Sequence, residues 1–185
     1  MDYIENYRFW CNANLADDEK RELLAIADDP EELKGRFGTQ LQFGTAGMRG
    51  IMGLGSNRLN YYTVRRAAQG MAAWLSATNL PKKAAIGYDS RHNSNLFAKA
   101  CAVAFAEVGI TTFLFDRLAP TPMLSFAVRK LNCGCGIVIS ASHNSGEYNG
   151  VKCYGPDGCQ MTDEPAAIVT DQIEKISYFV PEKES

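Results

Sequence analysis

The sequence predicts an α/β fold: a three-layer α/β/α domain with a mixed, largely parallel sheet and an N-terminal helical arm. Between residues 41 and 176, segments with helical spacing alternate with short apolar segments. Strands that alternate with helices favour helices on both faces of a largely parallel sheet. The chain has 185 residues, of which 46% are hydrophobic and 22% are charged, enough for one substantial core.

Residues 1–37 differ in character and predict a peripheral helical arm packed on the main domain. One helix is charged, with Leu23, Leu24 and Ile26 on one side. The sequence "DDPEEL" begins another short helix, with Pro30 near its start, where proline is tolerated. We expect an arm, a main domain and the beginning of a linker, over residues 1–37, 38–178 and 179–185.

The first part of the main domain predicts a sheet edge, a helix and a strand. "LQFGTAGMRGIMG" (41–53) is apolar and interrupted by glycine, as in a strand or loop at a sheet edge. "TVRRAAQGMAAWL" (63–75) has apolar residues at helical spacing. "KAAIGYDS" (83–90) is a short apolar strand closed by polar residues.

The second part continues the alternation. "SNLFAKACAVAFAEVG" predicts a helix with Ser94 as its N-cap and Gly109 after its end. "TPMLSFAVRKL" predicts another, with Thr121 as the cap and Pro122 at the first helical position. Three further strands and a last helix are predicted at "ITTFLFD" (110–116), "CGIVIS" (135–140), "GVKCYG" (150–155) and "EPAAIVTDQIEKI" (164–176).

Three polar clusters follow predicted strands and mark one edge of the sheet. They are "YDSR" (88–91), "DRLAPTP" (116–122) and "SASHN" (140–144). Ligands of open α/β sheets gather beyond the carboxyl ends of the strands. The sequence therefore predicts a binding site at this edge, without naming its ligand.

The charge and the ends of the chain limit the class of partner. A formal net charge of -2 gives no broad positive field, so we expect neither nucleic acid nor a membrane as partner. No stretch reaches the roughly 18 apolar residues of a membrane span. The acidic, aromatic start "MDYIENYRFW" differs from a signal peptide. We therefore expect a cytoplasmic protein with reduced cysteines.

A zinc site is the alternative use of the cysteines. Its ligands would be Cys133, Cys135, Cys153 and Cys159. Their Cys-x-Cys and Cys-x5-Cys spacings are not those of the usual zinc knuckles. We therefore expect these cysteines to be small apolar residues of strands.

Ser142 follows a buried strand in the segment "GIVISASHNSGEYNGVKCYG" (136–155). A hydroxyl held at a rigid strand end suits a nucleophile or a phosphate carrier, although a turn serine bonded to the local backbone is the plainer interpretation. A serine hydrolase needs a base that reaches the serine and a group that orients the base. The adjacent His143 is poorly placed for this role, and no Gly-x-Ser-x-Gly elbow exists.

Phosphate chemistry fits this loop better. A phosphoserine carries a charge of about -2 and needs cations around it. Arg49, Arg91 and Lys152 are the candidate cations. The glycines whose backbone N–H groups can come close to an anion are Gly44, Gly47 and Gly50.

Four segments, in order and with similar spacing, resemble the first-domain motifs of the α-D-phosphohexomutase family, which includes phosphoglucomutases and phosphomannomutases. They are "FGTAGMRG" (43–50), "GYDSR" (87–91), "PTP" (120–122) and "SASHNSGEYNGVK" (140–152). The last motif is highly specific, and the other three are strong together. The resemblance covers about residues 37–178. The arm with Trp10 and "GLGSNRLN" (53–60) are most similar to the long-armed phosphoglucomutase and phosphopentomutase branch.

The resemblance implies roles for the loop and its surroundings. By it, Ser142 carries the phosphoryl group, and an oxygen of that phosphoserine is a ligand of Mg²⁺. His143 and Lys152 shape and charge the pocket, and Arg49 is a phosphate partner that can take part in proton transfer. The residues implied to brace the loops or to contact phosphate are Asp89, Arg91, Asn144, Gly44 and Gly47.

The resemblance also implies an isomerase that interconverts sugar 1-phosphates and 6-phosphates, with a sugar 1,6-bisphosphate as intermediate and activator. The family's other three domains, which bring the aspartate-rich metal loop, the sugar-selecting loop and a site for the substrate's own phosphate, have no counterpart in this sequence. We therefore expect the first domain of a longer enzyme, inactive alone. The alternative is a stand-alone truncated relative that acts as a sugar-phosphate binding module or as a regulatory module.

Two features depart from the family pattern. Ser140 stands in place of the usual threonine, and Ser145-Gly146 stands where a proline usually follows the asparagine. The second change predicts a less rigid loop.

The apolar end of the chain has no evident partner in the sequence. Exposed apolar patches favour association. We therefore expect self-association of the chain, with three residues disordered or buried against a second copy: Tyr178, Phe179 and Val180.

Overall fold

The structure, a computed structural model, describes residues 2–179, which form seven helices and five strands. The elements, in chain order, are α1 (Tyr3–Cys11), α2 (Asp17–Ala25), α3 (Pro30–Phe37), β1 (Gly47–Ile51), α4 (Tyr61–Ala77), β2 (Lys83–Tyr88), α5 (Ser94–Ala106), β3 (Thr111–Leu114), α6 (Thr121–Lys130), β4 (Cys135–Ile139), β5 (Tyr148–Tyr154) and α7 (Asp163–Glu174).

The five strands form one mixed sheet in the order β1-β5-β4-β2-β3. β2 runs parallel to both β3 and β4. β5 runs antiparallel to both β1 and β4. Four strands therefore point in one direction and β5 alone is reversed, which confirms the predicted mixed, largely parallel sheet.

Helices cover both faces of the sheet and make three layers. On one face, α4, α5 and α7 pack over the main core, to which the sheet contributes Ile86, Ile137 and Val151 among others. On the other face, Leu124 and Val128 of α6 pack against the sheet. The alternation of side chains along each strand sends the apolar residues of β4 to both cores.

The helical arm has a small core of its own around Trp10, whose side chain is fully buried. The carboxylate of Asp29 accepts hydrogen bonds from the first turn of α3, and Pro30 occupies a position where no donor is lost. Leu23 and Phe37 pack in the same core with Leu54 and Tyr62, so the predicted helices of the arm lie against the residues that follow.

The expectation for the apolar end is wrong for Tyr178 and Phe179. Both pack on the arm, with ring centroids 5.2 and 5.1 Å from that of Trp10. The Arg66 guanidinium lies 4.5 Å from the Tyr178 ring centroid and donates from Nε to the Ile176 carbonyl at 2.7 Å. Trp10 of the arm is distant in sequence from Tyr178 and Phe179, so the local sequence pattern did not indicate that these rings pack together. Val180 lies outside the described residues.

The two predicted N-caps, Ser94 and Thr121, are each displaced by one residue. Asn93, with φ of 61°, is the N-cap of α5, and Ser94 is its first helical residue. Pro120 is the N-cap of α6, and Thr121 begins that helix. The hydroxyl of Ser94 is thereby free to bond elsewhere, which matters for the site below.

The cysteines of the two central strands are buried, as expected of small apolar residues. Cys135 of β4 and Cys153 of β5 have almost no exposed surface; Cys133 is equally buried but precedes β4, and Cys159 is exposed in a loop, so neither of these two lies in a strand as expected. Burial raises the pKa of the Cys135 and Cys153 thiols far above the ordinary value, so both stay protonated.

No helix within residues 2–179 is long and apolar enough to cross a membrane.

Candidate active site

Ser142 lies three residues beyond the end of β4, at the edge where the parallel strands end. The Ser140 N–H bonds the Gly150 carbonyl at 2.9 Å and prolongs the pairing of β4 with β5. Ser142 itself is exposed and has φ of 55°, a left-handed conformation that costs a non-glycine residue about 1 to 3 kcal/mol. The surrounding contacts must hold this conformation.

Lys152 of β5 points its ammonium group at Ser142. Its Nζ lies 2.6 Å from the Ser142 Oγ. Lys152 pairs with Val138 of β4, and paired residues share one face of a sheet, so Lys152 lies on the face that α6 partly covers. Burial lowers the pKa of Lys152, and the charge of Arg49 lowers this pKa further, with a smaller opposing effect of Asp89. Lys152 therefore releases a proton more easily than an exposed lysine.

Arg49 of β1 approaches the same loop from the neighbouring strand. Gly47 pairs with Lys152, so Arg49, two residues on, lies on the same face. Its NH1 donates to the Asn144 Oδ1 at 2.8 Å. Arg49 and Lys152 thus flank the serine loop, residues 140–148, from adjacent strands.

Arg91 holds the serine loop through the loop's backbone. Its NH2 donates to the carbonyls of Ser142 at 3.0 Å and Asn144 at 2.5 Å. Its NH1 donates to the carbonyls of Ser145 at 2.8 Å and Tyr148 at 2.9 Å. The planar guanidinium fits such a fan of acceptors, which a lysine ammonium does not match.

Asp89 orients Arg91 from the end of β2. Its Oδ1 accepts from the Arg91 N–H at 3.0 Å and from the Ser94 hydroxyl at 2.8 Å. Its Oδ2 lies 3.6 Å from the Arg91 Nε. Asp89 and Arg91 are therefore joined to each other and to the serine loop, as "GYDSR" and "SASHN" at one edge predict.

The glycine loop, residues 43–50, differs from the expected arrangement, in which backbone N–H groups of glycines approach an anion. The N–H groups of Gly44 and Gly47 bond each other's carbonyls, both at 2.8 Å, so neither amide is free to face an anion. Gly47 has φ of 106°, and a Cβ there would lie 1.8 Å from the Val151 carbonyl oxygen. Gly47 is thus required for the close approach of β1 to β5, rather than for a free amide.

His143 and the cluster "DRLAPTP" take less part in the described contacts. His143 is exposed, and no hydrogen bond among residues 2–179 involves its imidazole. In the cluster, the Ala119 N–H bonds the Tyr88 carbonyl at 3.1 Å, which attaches the segment to the end of β2. Asp116 pairs with Arg117 in solvent.

The described residues do not by themselves form a magnesium site. No group of three or more His, Cys, Asp or Glu side chains within residues 2–179 is placed to hold a metal ion. The Asp89 carboxylate already faces Arg91 and Ser94, and the Glu147 carboxylate, within the loop, accepts from the Ser145 hydroxyl at 3.2 Å. Because Mg²⁺ requires several oxygen ligands, residues 2–179 alone do not satisfy it.

Three side chains of the site were given no role in the site from the sequence. Ser140 accepts a hydrogen bond from the Ser142 N–H on its Oγ at 3.0 Å. Ser94 and Asn149 are fully buried and bonded to each other. Asn149 lies just before the strand predicted over residues 150–155, and Ser94 was attributed to a helix cap.

Comparison with known proteins identifies the family of this chain. The family model described as phosphoglucomutase/phosphomannomutase, alpha/beta/alpha domain I, matches residues 40–179. The chain belongs to this family. The match covers the sheet, the glycine loop and the serine loop, so the resemblance drawn from the four motifs is confirmed.

Curated members of the phosphoglucomutase/phosphomannomutase family are much longer than this chain. The phosphoglucomutase of Staphylococcus aureus strain USA300 is 45% identical over 148 residues, which are 80% of this chain and 27% of that protein. The phosphoglucomutase of strain bovine RF122 is 44% identical over 145 residues, or 78% of this chain and 26% of that protein. The chain thus spans little more than a quarter of these relatives.

Solved structures of the family share the fold. A protein of Thermus thermophilus assigned as a phosphomannomutase aligns with a TM-score of 0.67 at 30% identity, over 73% of this chain and 30% of that one. A phosphoglucomutase/phosphomannomutase family protein of Burkholderia thailandensis aligns with a TM-score of 0.63 at 20% identity, over 74% of this chain and 30% of that one.

Proposed function

We propose that this chain is the phosphoserine domain of a phosphoglucomutase/phosphomannomutase-type isomerase that interconverts sugar 1-phosphates and 6-phosphates. The observation that carries the proposal is the contact of 2.6 Å between the Lys152 Nζ and the Ser142 Oγ, at a serine held in a left-handed conformation. A cation at the oxygen that carries a phosphoryl group is what such chemistry requires. Membership of the family supports the same assignment.

The chemistry begins with a phosphoryl group on the Ser142 Oγ. A sugar monophosphate hydroxyl attacks the phosphorus; its O–P bond forms as the Oγ–P bond breaks, and a sugar 1,6-bisphosphate results. The hydroxyl proton passes to an oxygen of the phosphate, while Arg49, which stays protonated, neutralises charge on that phosphate. The Ser142 Oγ takes a proton that Lys152 is placed to donate. Transfer of the other phosphate back to Ser142 completes the isomerisation and returns the protons.

His143 and Asn144 complete the polar surroundings of Ser142 in this proposal. His143 is exposed beside the serine, where an imidazole can meet a phosphoryl oxygen. Asn144 accepts a hydrogen bond from Arg49 and so holds that cation over the loop. Both act on the charge of the phosphate rather than on a bond that breaks.

The proposal requires parts beyond this chain. Mg²⁺, which the family resemblance implies, neutralises charge on the transferring group when bound, and its carboxylate ligands must come from another domain. The sugar phosphate and the remaining domains are therefore the proposed partners, and the cytoplasm is the proposed location. Alone, the chain is expected to be inactive.

Mass spectrometry of the intact protein tests the proposal. We expect incubation of the longer protein with glucose 1,6-bisphosphate and Mg²⁺ to add one phosphoryl group, mapped to Ser142 by peptide fragmentation. The chain alone should gain little. Binding of the bisphosphate without any covalent phosphate, on either protein, would instead support the stand-alone sugar-phosphate binding module. A phosphoryl group on another residue would contradict the assignment of Ser142.

A further inference from the structure

Asn149 begins a buried chain of hydrogen bonds that ends at the loop carrying Ser142. Its side chain has no exposed surface. The Nδ2 donates to the Ser94 Oγ at 2.9 Å and to the His92 carbonyl at 3.0 Å, and the Oδ1 accepts from the Gly150 N–H at 2.8 Å. A buried amide is costly to leave without partners, so this arrangement resists change.

Ser94 connects Asn149 with the charged part of the site. Ser94 is also fully buried, and its hydroxyl donates to the Asp89 Oδ1 at 2.8 Å. That carboxylate receives the Arg91 N–H at 3.0 Å and faces the Arg91 Nε at 3.6 Å. Because a guanidinium is rigid and planar, a carboxylate beside its Nε also fixes the directions of NH1 and NH2.

Arg91 closes the chain of bonds into a ring. Its terminal nitrogens contact the four carbonyls of the serine loop described above, of which the last belongs to Tyr148, the residue before Asn149. The ring therefore joins the end of β2, the start of α5, the start of β5 and the serine loop. Since Lys152 lies on β5, the ring also fixes the loop relative to that lysine.

We propose that Asn149 and Ser94 are positioning residues, which act through Asp89 and Arg91 to hold Ser142 in its left-handed conformation beside Lys152. The proposal rests on the proposed function of Ser142 for its consequence in catalysis, but not for the loop geometry. The loop's own sequence, Ser145-Gly146, restricts the backbone little. The ring therefore adds a constraint to that of the Ser140 hydroxyl on the Ser142 N–H.

Hydrogen exchange in the isolated chain tests the proposal with a matched pair of variants, Ser94→Ala and Ser56→Ala. Ser56 is a good control because it is 1% exposed, accepts from the Asn6 Nδ2 at 2.8 Å and donates to the Thr39 carbonyl at 2.7 Å, away from the serine loop. Both variants thus lose one buried hydroxyl that accepts from an asparagine amide; the Ser94 hydroxyl donates to a carboxylate and the Ser56 hydroxyl to a backbone carbonyl.

The informative amides are those of Ser142, Asn144 and Tyr148, each of which donates a hydrogen bond within the loop. We expect Ser94→Ala to speed their exchange about tenfold or more and to shift the amide resonances of Ser142 and Asn144, because a local opening becomes easier. Ser56→Ala should leave both readouts near those of the unmodified chain. Equal exchange at these amides in the two variants would overturn the proposal.

Asn149→Ala tests the far end of the ring. Combined with Ser94→Ala, it should speed the loop amides little more than either change alone, since residues in one network are not additive. Fully additive effects, or unchanged loop amides in folded Asn149→Ala, would overturn the role of Asn149. If Asn149→Ala does not fold, the Ser94→Ala and Ser56→Ala pair decides the proposal. None of these readouts depends on phosphoryl transfer, so failure here is distinct from failure of the proposed function.

Discussion

Ser142 has a left-handed backbone conformation, which residues other than glycine rarely adopt. Its hydroxyl contacts the ammonium group of Lys152. Strain of this kind persists only where the surroundings impose it, and it occurs often at functional sites. Here the restraints are Arg91 on the loop carbonyls and the Ser140 hydroxyl on the Ser142 N–H. The serine is therefore presented by its environment rather than by its own local preference.

Ser140 allows the restraint on the Ser142 N–H to be measured. Ser140→Ala removes the acceptor, and we expect the free energy of unfolding to fall by about 1 kcal/mol, the usual net worth of a hydrogen bond. Ser140→Thr keeps the hydroxyl and should be nearly neutral. Urea unfolding of the two variants compares them. Equal stability of the alanine and threonine variants would show that this hydrogen bond contributes nothing.

Gly47 is where a side chain is least tolerated in the glycine loop. Gly47→Ala places a Cβ against the Val151 carbonyl at a positive φ, and we expect it to lower the free energy of unfolding by about 3 kcal/mol or more. Gly44→Ala is the control, since the nearest atom to its Cβ is 4.0 Å away, and it should cost under about 1 kcal/mol. Urea unfolding measures both, and a tolerated Gly47→Ala would contradict the geometry of this loop.

At the residue scale, the sequence predicted Ser142 and Arg91 at one sheet edge because their motifs follow strands, and it indicated Lys152 as a candidate cation for the phosphate. It did not predict how they bond, since hydrogen-bond partners depend on strand order and on side-chain directions. Ser94 illustrates this: a serine before a helical segment resembles a cap, but Asn93 adopts the cap position. The Ser94 hydroxyl then bonds Asp89 instead.

At the scale of elements, the arm and the end of the chain form one aromatic cluster. Trp10 is surrounded by Phe37, Tyr62, Tyr178 and Phe179, with ring centroids 5.1 to 6.1 Å from its own. Large buried rings contribute both area and edge-to-face contacts. The segment after α7 thereby ties the arm to the main domain.

Phe179 tests this connection. We expect Phe179→Ala to lower the free energy of unfolding by about 1 to 2 kcal/mol, because it removes a half-buried ring that contacts Trp10, Tyr62 and Phe9. Phe126→Ala on α6, where the ring is 60% exposed, is the control and should change stability little. Equal effects in urea unfolding would mean that the end of the chain does not stabilise the arm.

The elements themselves were largely predictable, since α4, α5 and β4 have clear apolar patterns at helical or strand spacing. The order of strands was not, because the reversed β5 between β1 and β4 is a matter of long-range pairing. The packing of Tyr178 on Arg66 and Trp10 was not predictable for the same reason.

At the scale of the whole molecule, residues 2–179 place cations around Ser142 but no group of three carboxylates that could hold a magnesium ion. We therefore expect the isolated chain to bind Mg²⁺ with a dissociation constant of about 1 mM or weaker. Isothermal titration calorimetry measures this, with the longer protein, phosphorylated on Ser142, as the comparison that should bind more tightly. Micromolar binding by the isolated chain would show that its own residues suffice for the site.

The central claim is that Ser142 carries the phosphoryl group, and the most direct measurement is mutase turnover in the longer enzyme with two matched substitutions in one loop. Ser142→Ala should abolish turnover and change the free energy of unfolding by under about 1 kcal/mol, because the side chain is small and exposed. Ser145→Ala removes a hydroxyl of the same loop, three residues further on, which donates to Glu147. This variant should keep near-normal turnover. Near-normal turnover of Ser142→Ala would contradict the account.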